Sequence, residues 1–316
     1  MSADSRKQRE RKLIRLLLRQ VAVFVTVTLL LLIVYWLPLS VKESLELTAT
    51  SHPATWLTSN YVHEVWSHLS GNLEGYSLSI FVYIALLLTL TALGFDLRRI
   101  HALDTTVHAT ALVAAPLVSA AVWLVLTQLY MPQHVLSRVC GFSTSVSAYV
   151  GADIALWVVA TAEAFNVRWR SMYFLLQLLL FLLVPASTYT QLTQWLAAAS
   201  PYMPYISAAA ATLLAVRNPK YWKELETKVY AKEPTKASKA IRIFLLLCPF
   251  IATYMLDGLN PTIHCGEGGT RGRVNVLSHF SGTLVGYASP LVVLLFLKAC
   301  ELLREKLKKL PMKLKP

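Results

Sequence analysis

Charged residues are missing from long stretches of this chain, and the gaps are the size of membrane spans. Gln20–Val41 is charge-free over 22 residues, Gly75–Phe95 over 21 and Thr105–Ser137 over 33. Val139–Ala162 is interrupted only by Asp153. Ser171–Val216 runs for 46 residues, Ile243–Leu256 for 14 and Val274–Leu297 for 24. One helix crosses a bilayer in about 20 apolar residues. The longest run therefore predicts two helices, with a turn near Pro185–Gln194. The shortest run gains length at one end, where Lys239 and Arg242 can snorkel. The pattern predicts an all-α, polytopic transmembrane bundle of eight spans, with no separate soluble domain. The first span is too long for a cleavable signal and reads as a retained signal-anchor.

Composition agrees. Hydrophobic residues make up 55% of the 316 positions and charged residues 15%, against about 25% charged in soluble domains. The four cysteines, Cys140, Cys248, Cys265 and Cys300, lack zinc or disulfide-framework spacing. The net charge of +13 acquires meaning from its placement. With the N-terminus inside, 26 of the 30 Lys and Arg residues fall on inner segments, as the positive-inside rule requires. Both termini are then cytoplasmic. Three basic inner segments result: the N-terminus (1–16), a linker (217–240) and the C-terminal tail (298–316). They suit an anionic lipid surface. Nucleic acid is not expected as a partner, because no binding motif accompanies the charge.

Polar groups inside a bilayer are costly and mark candidate sites. Three clusters fall at outer ends of spans. In the first, His68 and Asn72 share a helix face at i, i+4, while His63 points elsewhere or precedes the helix. The second, Cys140-Gly141-Phe142-Ser143-Thr144-Ser145, is a GxS turn into a helix whose free N–H groups suit an oxyanion. In the third, His279, Gly282 and Gly286 form one stripe. The two glycines form a small-xxx-small face of the kind that admits a neighbouring backbone. Ser147, Gly151 and Ala155 form a similar stripe on the fourth span. Packing of these two stripes would bring His279 beside Ser143. A serine becomes nucleophilic when a base takes its proton. The expected machinery is a Ser143–His279 dyad, with His68 and Asn72 serving the oxyanion. No carboxylate is placed to orient His279.

The ordered set His63-x4-His68-x3-Asn72, Gly141-x-Ser143 and His279-x2-Gly282-x3-Gly286 resembles the rhomboid intramembrane serine proteases. The resemblance covers spans two to four and the last. It implies a rhomboid-like core with two extra spans between the fourth and the penultimate. It also implies Ser143 as nucleophile, His279 as base, and His68 and Asn72 as oxyanion donors, with His63, Gly141, Gly282 and Gly286 supporting the site. The implied partners are transmembrane protein substrates, cleaved near the outer leaflet with no cofactor and no metal. A plasma-membrane location fits this reading. Thr144 stands where the family usually has glycine, Ser147 stands at a position often aromatic, and Trp56 has no adjacent Arg.

Three other readings compete. Thr144 suits an inactive rhomboid-like protein that binds membrane clients. Glu74 and Asp153, within spans, suit a transporter, although no inverted repeat supports one. His63-Glu64 followed by His68 misses the HExxH zinc spacing by one residue.

Overall fold

The computed structural model describes residues 3–48, 50–130, 140–165, 240–241, 244–245 and 276–309. The described chain is helical, with no strand. The long helices are α1 (Ala3–Tyr35), α4 (Trp66–Ala92), α5 (Leu97–Ala109), α6 (Ala115–Tyr130), α7 (Ser143–Phe165) and α8 (Val276–Lys309). Two short ones, α2 (Leu39–Leu45) and α3 (Thr55–Thr58), lie between α1 and α4. A π turn, Thr110–Ala114, joins α5 to α6 without breaking the rod.

Five stretches among the described residues are long and apolar enough to cross a membrane: Glu10–Tyr35, Trp66–Ala92, Leu97–Val125, Ser143–Thr161 and Ser281–Lys306. They correspond to the first four expected spans and the last. The other three expected spans, in 171–216 and 243–256, lie outside the described residues except for Phe244 and Leu245, as does nearly all of the 217–240 linker.

Helix ends depart from the charge-free runs for local reasons. α1 starts at Ala3, well before the first apolar run, because Arg and Lys are good helix formers and need only stay in water. It stops before Pro38, which cannot continue it. α5 begins early because Asp96 caps it, its carboxylate accepting the Arg98 N–H at 3.3 Å. In α8 the ring of Pro290 removes the N–H that Gly286 would otherwise bond; the Ser289 hydroxyl donates to that carbonyl at 3.0 Å instead. The expected C-terminal tail is helical as far as Lys309.

α7 is the central helix, and its apolar stretch is buried throughout. It packs against α4 on one side and, most extensively, against α8 on another. The small residues expected to meet do so. A methyl built on Gly282 would lie 2.5 Å from the Thr144 carbonyl oxygen and 3.2 Å from Ser147 Cβ. One built on Gly286 would strike the Ala148 backbone, and one on Gly151 the Thr283 and Tyr287 backbone. Residue numbers rise together along both helices, so α7 and α8 run parallel. α1 lies at the periphery. It buries Leu16, Val27 and Leu31 and exposes Leu18, Val21, Val25, Leu29 and Ile33, the two-faced pattern of a helix between a bundle and lipid. Tyr35, Trp36 and Trp66 cluster at its end, where aromatic side chains mark a membrane–water boundary.

Candidate active site

The first site cluster folds back on itself. α4 starts at Trp66, so His63 precedes it. The His63 ring turns over the first helical turns, where Asn72 Nδ2 lies 2.8 Å from its Nε2. The Phe142 backbone N–H donates to the same Nε2 at 3.2 Å. A backbone amide only donates, so Nε2 accepts from both and the ring proton sits on Nδ1. His63 thus ties the start of α4 to the turn before α7. One Asn72 N–H is committed to His63.

His68, half-buried, packs edge to face with His63 at 5.0 Å between ring centres and lies against Gly141. A methyl on Gly141 would be 2.5 Å from His68 Cε1. Gly141 also has φ +119°, which side-chain-bearing residues rarely adopt. Only glycine suits this position, for two independent reasons. Its N–H donates to the Ser59 carbonyl at 3.0 Å, which pins the turn to the segment after α3.

The turn delivers Ser143 as the first residue of α7. The first backbone N–H groups of a helix have no partner within the helix and carry its positive dipole end. Ser143 therefore stands at a ready anion-stabilising terminus, partly accessible. Ser145 and Ser147 are fully buried and occupied: Asn60 Nδ2 donates to Ser145 Oγ at 2.8 Å, and Ser147 Oγ donates to the Ser143 carbonyl at 2.7 Å. Among the three serines of the turn, only Ser143 is not fully buried. Thr144 is buried and lines a small cleft with Trp56, Asn60, Trp123 and Cys140.

His279 comes to the same end by helix register. It lies one turn before Gly282 on α8, and Gly282 abuts Thr144 in the first turn of α7. His279 is 8% exposed, and its carbonyl accepts from Thr283 Oγ1 at 2.8 Å. All three sequence clusters thus meet at one end of the bundle. His63, His68, Asn72 and Gly141 are in direct contact, and His279 is level with the Ser143 turn.

Electrostatics at this end favour neutral groups. Burial pushes the His63 imidazole down to about 3, helped by His68 and Lys42 and opposed by the Tyr61 carbonyl. Burial likewise raises the Cys140 thiol to about 12, with Glu46 and Glu64 adding to the effect. A consequence follows for stability. Unfolded His63 takes up a proton near pH 6.5, whereas the folded ring stays neutral down to about pH 3. Its contribution is complete above pH 6.5 and erodes as pH falls toward 3, by up to about 1.4 kcal/mol per unit. Thermal melts from pH 7 to pH 4 should show a falling midpoint. His63→Gln, which lacks the titrating ring, should flatten that slope.

Some contributors were not apparent from sequence. Lys42 is buried and donates to the carbonyls of Tyr35 and His63, both at 3.3 Å, so the end of α1 and the His63 loop share one cation. Ser59 and Asn60 hold the α7 turn from the first loop. No short-range spacing marks these residues, because each acts across the fold. Of the two acids noted within spans, Glu74 is exposed and Asp153 is buried in α7, its carboxylate without a hydrogen-bond partner among the described residues. No grouping of three metal-ligating side chains occurs among the described residues.

Comparison with family models, curated proteins and solved structures gave no match. The functional reading therefore stands on the site residues and their arrangement.

Proposed function

We propose that this chain is an intramembrane serine endopeptidase of rhomboid type, cutting transmembrane helices near the outer leaflet. In this reading both termini are cytoplasmic, and the site end faces outward, in the plasma membrane. Ser143 Oγ attacks the scissile carbonyl while His279 accepts its proton. Negative charge developing on the carbonyl oxygen is met by the N–H groups at the start of α7, by His68 and by the uncommitted amide hydrogen of Asn72. Preorganised donors of this kind lower the barrier most where water is scarce. His279 then protonates the departing amine, and water entering from the outer face releases the acyl group from Ser143. The reading requires neither metal nor cofactor.

The observation that carries it is the α7–α8 contact. Gly282 and Gly286 let the two backbones touch at Thr144 and Ala148, which sets the histidine turn of one helix against the serine turn of the other. A hydroxyl at a helix start is otherwise an ordinary cap. The test is cleavage in proteoliposomes that contain the purified protein and a panel of single-span substrates with small or helix-breaking residues near the outer boundary. Cleavage within the membrane-proximal part of a substrate supports the reading. Intact substrates throughout the panel, with folded protein, would reject it in favour of a client-binding protein.

A further inference from the structure

The interior of the bundle holds a second polar group that the chemistry above does not use. Asp104 and His108 lie one turn apart on α5 and are buried. Gln20 of α1 reaches between them. Its amide nitrogen donates to Asp104 Oδ1 at 2.5 Å, and its carbonyl oxygen lies 2.9 Å from His108 Nε2. Tyr83 of α4 donates to the same Asp104 oxygen at 3.2 Å, and the Arg19 guanidinium lies 3.3 Å from the other. On the far side of the imidazole, Nδ1 is 2.6 Å from the hydroxyl of Tyr149 on α7.

Asp104, paired with Arg19, accepts from its neighbours, so Gln20 gives it the amide and turns its carbonyl to His108. His108 Nε2 then carries the hydrogen, which also faces Asp104 Oδ1 at 3.3 Å, and Nδ1 shares a hydrogen bond with the Tyr149 hydroxyl. Every member of this chain has a partner, and four helices are joined.

Tyr149 also belongs to a column of rings that runs toward the Ser143 turn. It packs on Tyr76 at 5.5 Å between centres, Tyr76 on Phe142 at 5.3 Å, and Phe142 on Tyr61 at 5.6 Å. These spacings are those of packed aromatic pairs. Tyr76, Phe142 and Tyr149 are fully buried, so the column has no slack. Phe142 is the residue whose N–H bonds His63 and which directly precedes Ser143.

We propose that His108 and Tyr149 are positioning residues for the Gly141–Ser143 turn. The His108–Tyr149 hydrogen bond fixes the tilt of Tyr149. Through Tyr76 that fixes Phe142, and Phe142 holds the turn on His63. This rests on reading that turn as the reactive one, but its position can be followed without catalysis. Cys140 adjoins Gly141, and its thiol reports how tightly the turn is held.

The test uses the full chain in bilayer nanodiscs with Cys248, Cys265 and Cys300 replaced by Ser. Iodoacetamide modification of Cys140 is timed by mass spectrometry. Tyr149→Phe keeps the ring and removes the hydroxyl, and is expected to speed alkylation by about tenfold, as is His108→Leu. Leu90→Ala, a buried change in α4 away from the column, is the control for general loosening. Proteolytic substrates, if cut, should show a lower kcat in Tyr149→Phe with unchanged KM. An unchanged Cys140 rate in a folded Tyr149→Phe protein would overturn the proposal. So would an equal acceleration in a Leu90→Ala protein of matched unfolding temperature. Failure of the peptidase reading would appear separately, as intact substrate beside a normal Cys140 response.

Discussion

Replacing Ser143 by Ala should lower substrate cleavage by at least about 10³-fold, and His279→Ala should do the same. The two losses should not add in the double variant, because a nucleophile without its base and a base without its nucleophile are equally idle. Residual cleavage near background in all three is the expected pattern. Ser145→Ala and Ser147→Ala should behave differently. Both hydroxyls are buried and engaged with neighbours, so their loss affects packing, at about 1 kcal/mol each, with cleavage retained. His68→Ala should cost less than the dyad variants, about 10²-fold, the usual effect of deleting one oxyanion donor. A scan in which Ser145→Ala was as damaging as Ser143→Ala would move the nucleophile. Equal loss from all five serine and histidine changes would point to structural damage, which a melting curve on each variant would reveal.

The second large effect concerns stability. Gly286→Ala is expected to destabilise the protein by about 3 kcal/mol or more. The added methyl meets the Ala148 carbonyl group and Cα, which are backbone atoms and cannot rotate away as a side chain would. The helices must separate, and every contact along the stripe weakens with them. Gly151→Ala should behave alike, since its methyl meets the Thr283 and Tyr287 backbone from the other helix. Gly71→Ala is the internal control. It lies on the exposed side of α4 with nothing near a new methyl, so helix propensity alone should act, a gain of up to about 1 kcal/mol. Denaturant titration of the three variants in detergent separates these outcomes. Near-equal effects at Gly286 and Gly71 would mean that α7 and α8 are not in close contact.

How far the sequence carried this picture depends on the range of the signal. Absence of charge is local and cumulative, so α1, α4, the α5–α6 rod, α7 and α8 could be placed from it. The glycine stripes were legible for a similar reason: regular i, i+4 spacing of small residues implies a close partner, and two such stripes implied each other. The GxS turn was readable because glycine next to a helix start is a local backbone demand, and Gly141 does have a positive φ. Helix boundaries were read less well. Capping by Asp96 and the stop at Pro38 act over a few residues, and a count of charge-free positions does not see them.

Long-range polar contacts were hardest to read. His63 was expected to diverge from His68 and Asn72 or to precede the helix. It precedes the helix, then returns to bond Asn72, a path that depends on Lys42 and Phe142 rather than on spacing. Asp104 and His108 have i, i+4 spacing at the border of an apolar run. Their partners Gln20, Tyr83 and Tyr149 come from three other helices, and only the packing of the bundle brings them together.

The central claim is that Ser143 is chemically activated. The most direct measurement is covalent labelling of the full-length protein with a fluorophosphonate probe, with the modified peptide mapped by mass spectrometry. The expected result is a single phosphonylated residue, Ser143, with labelling lost in Ser143→Ala and in His279→Ala. Label on another serine, or label on Ser143 that persists unchanged in a folded His279→Ala protein, would contradict the dyad.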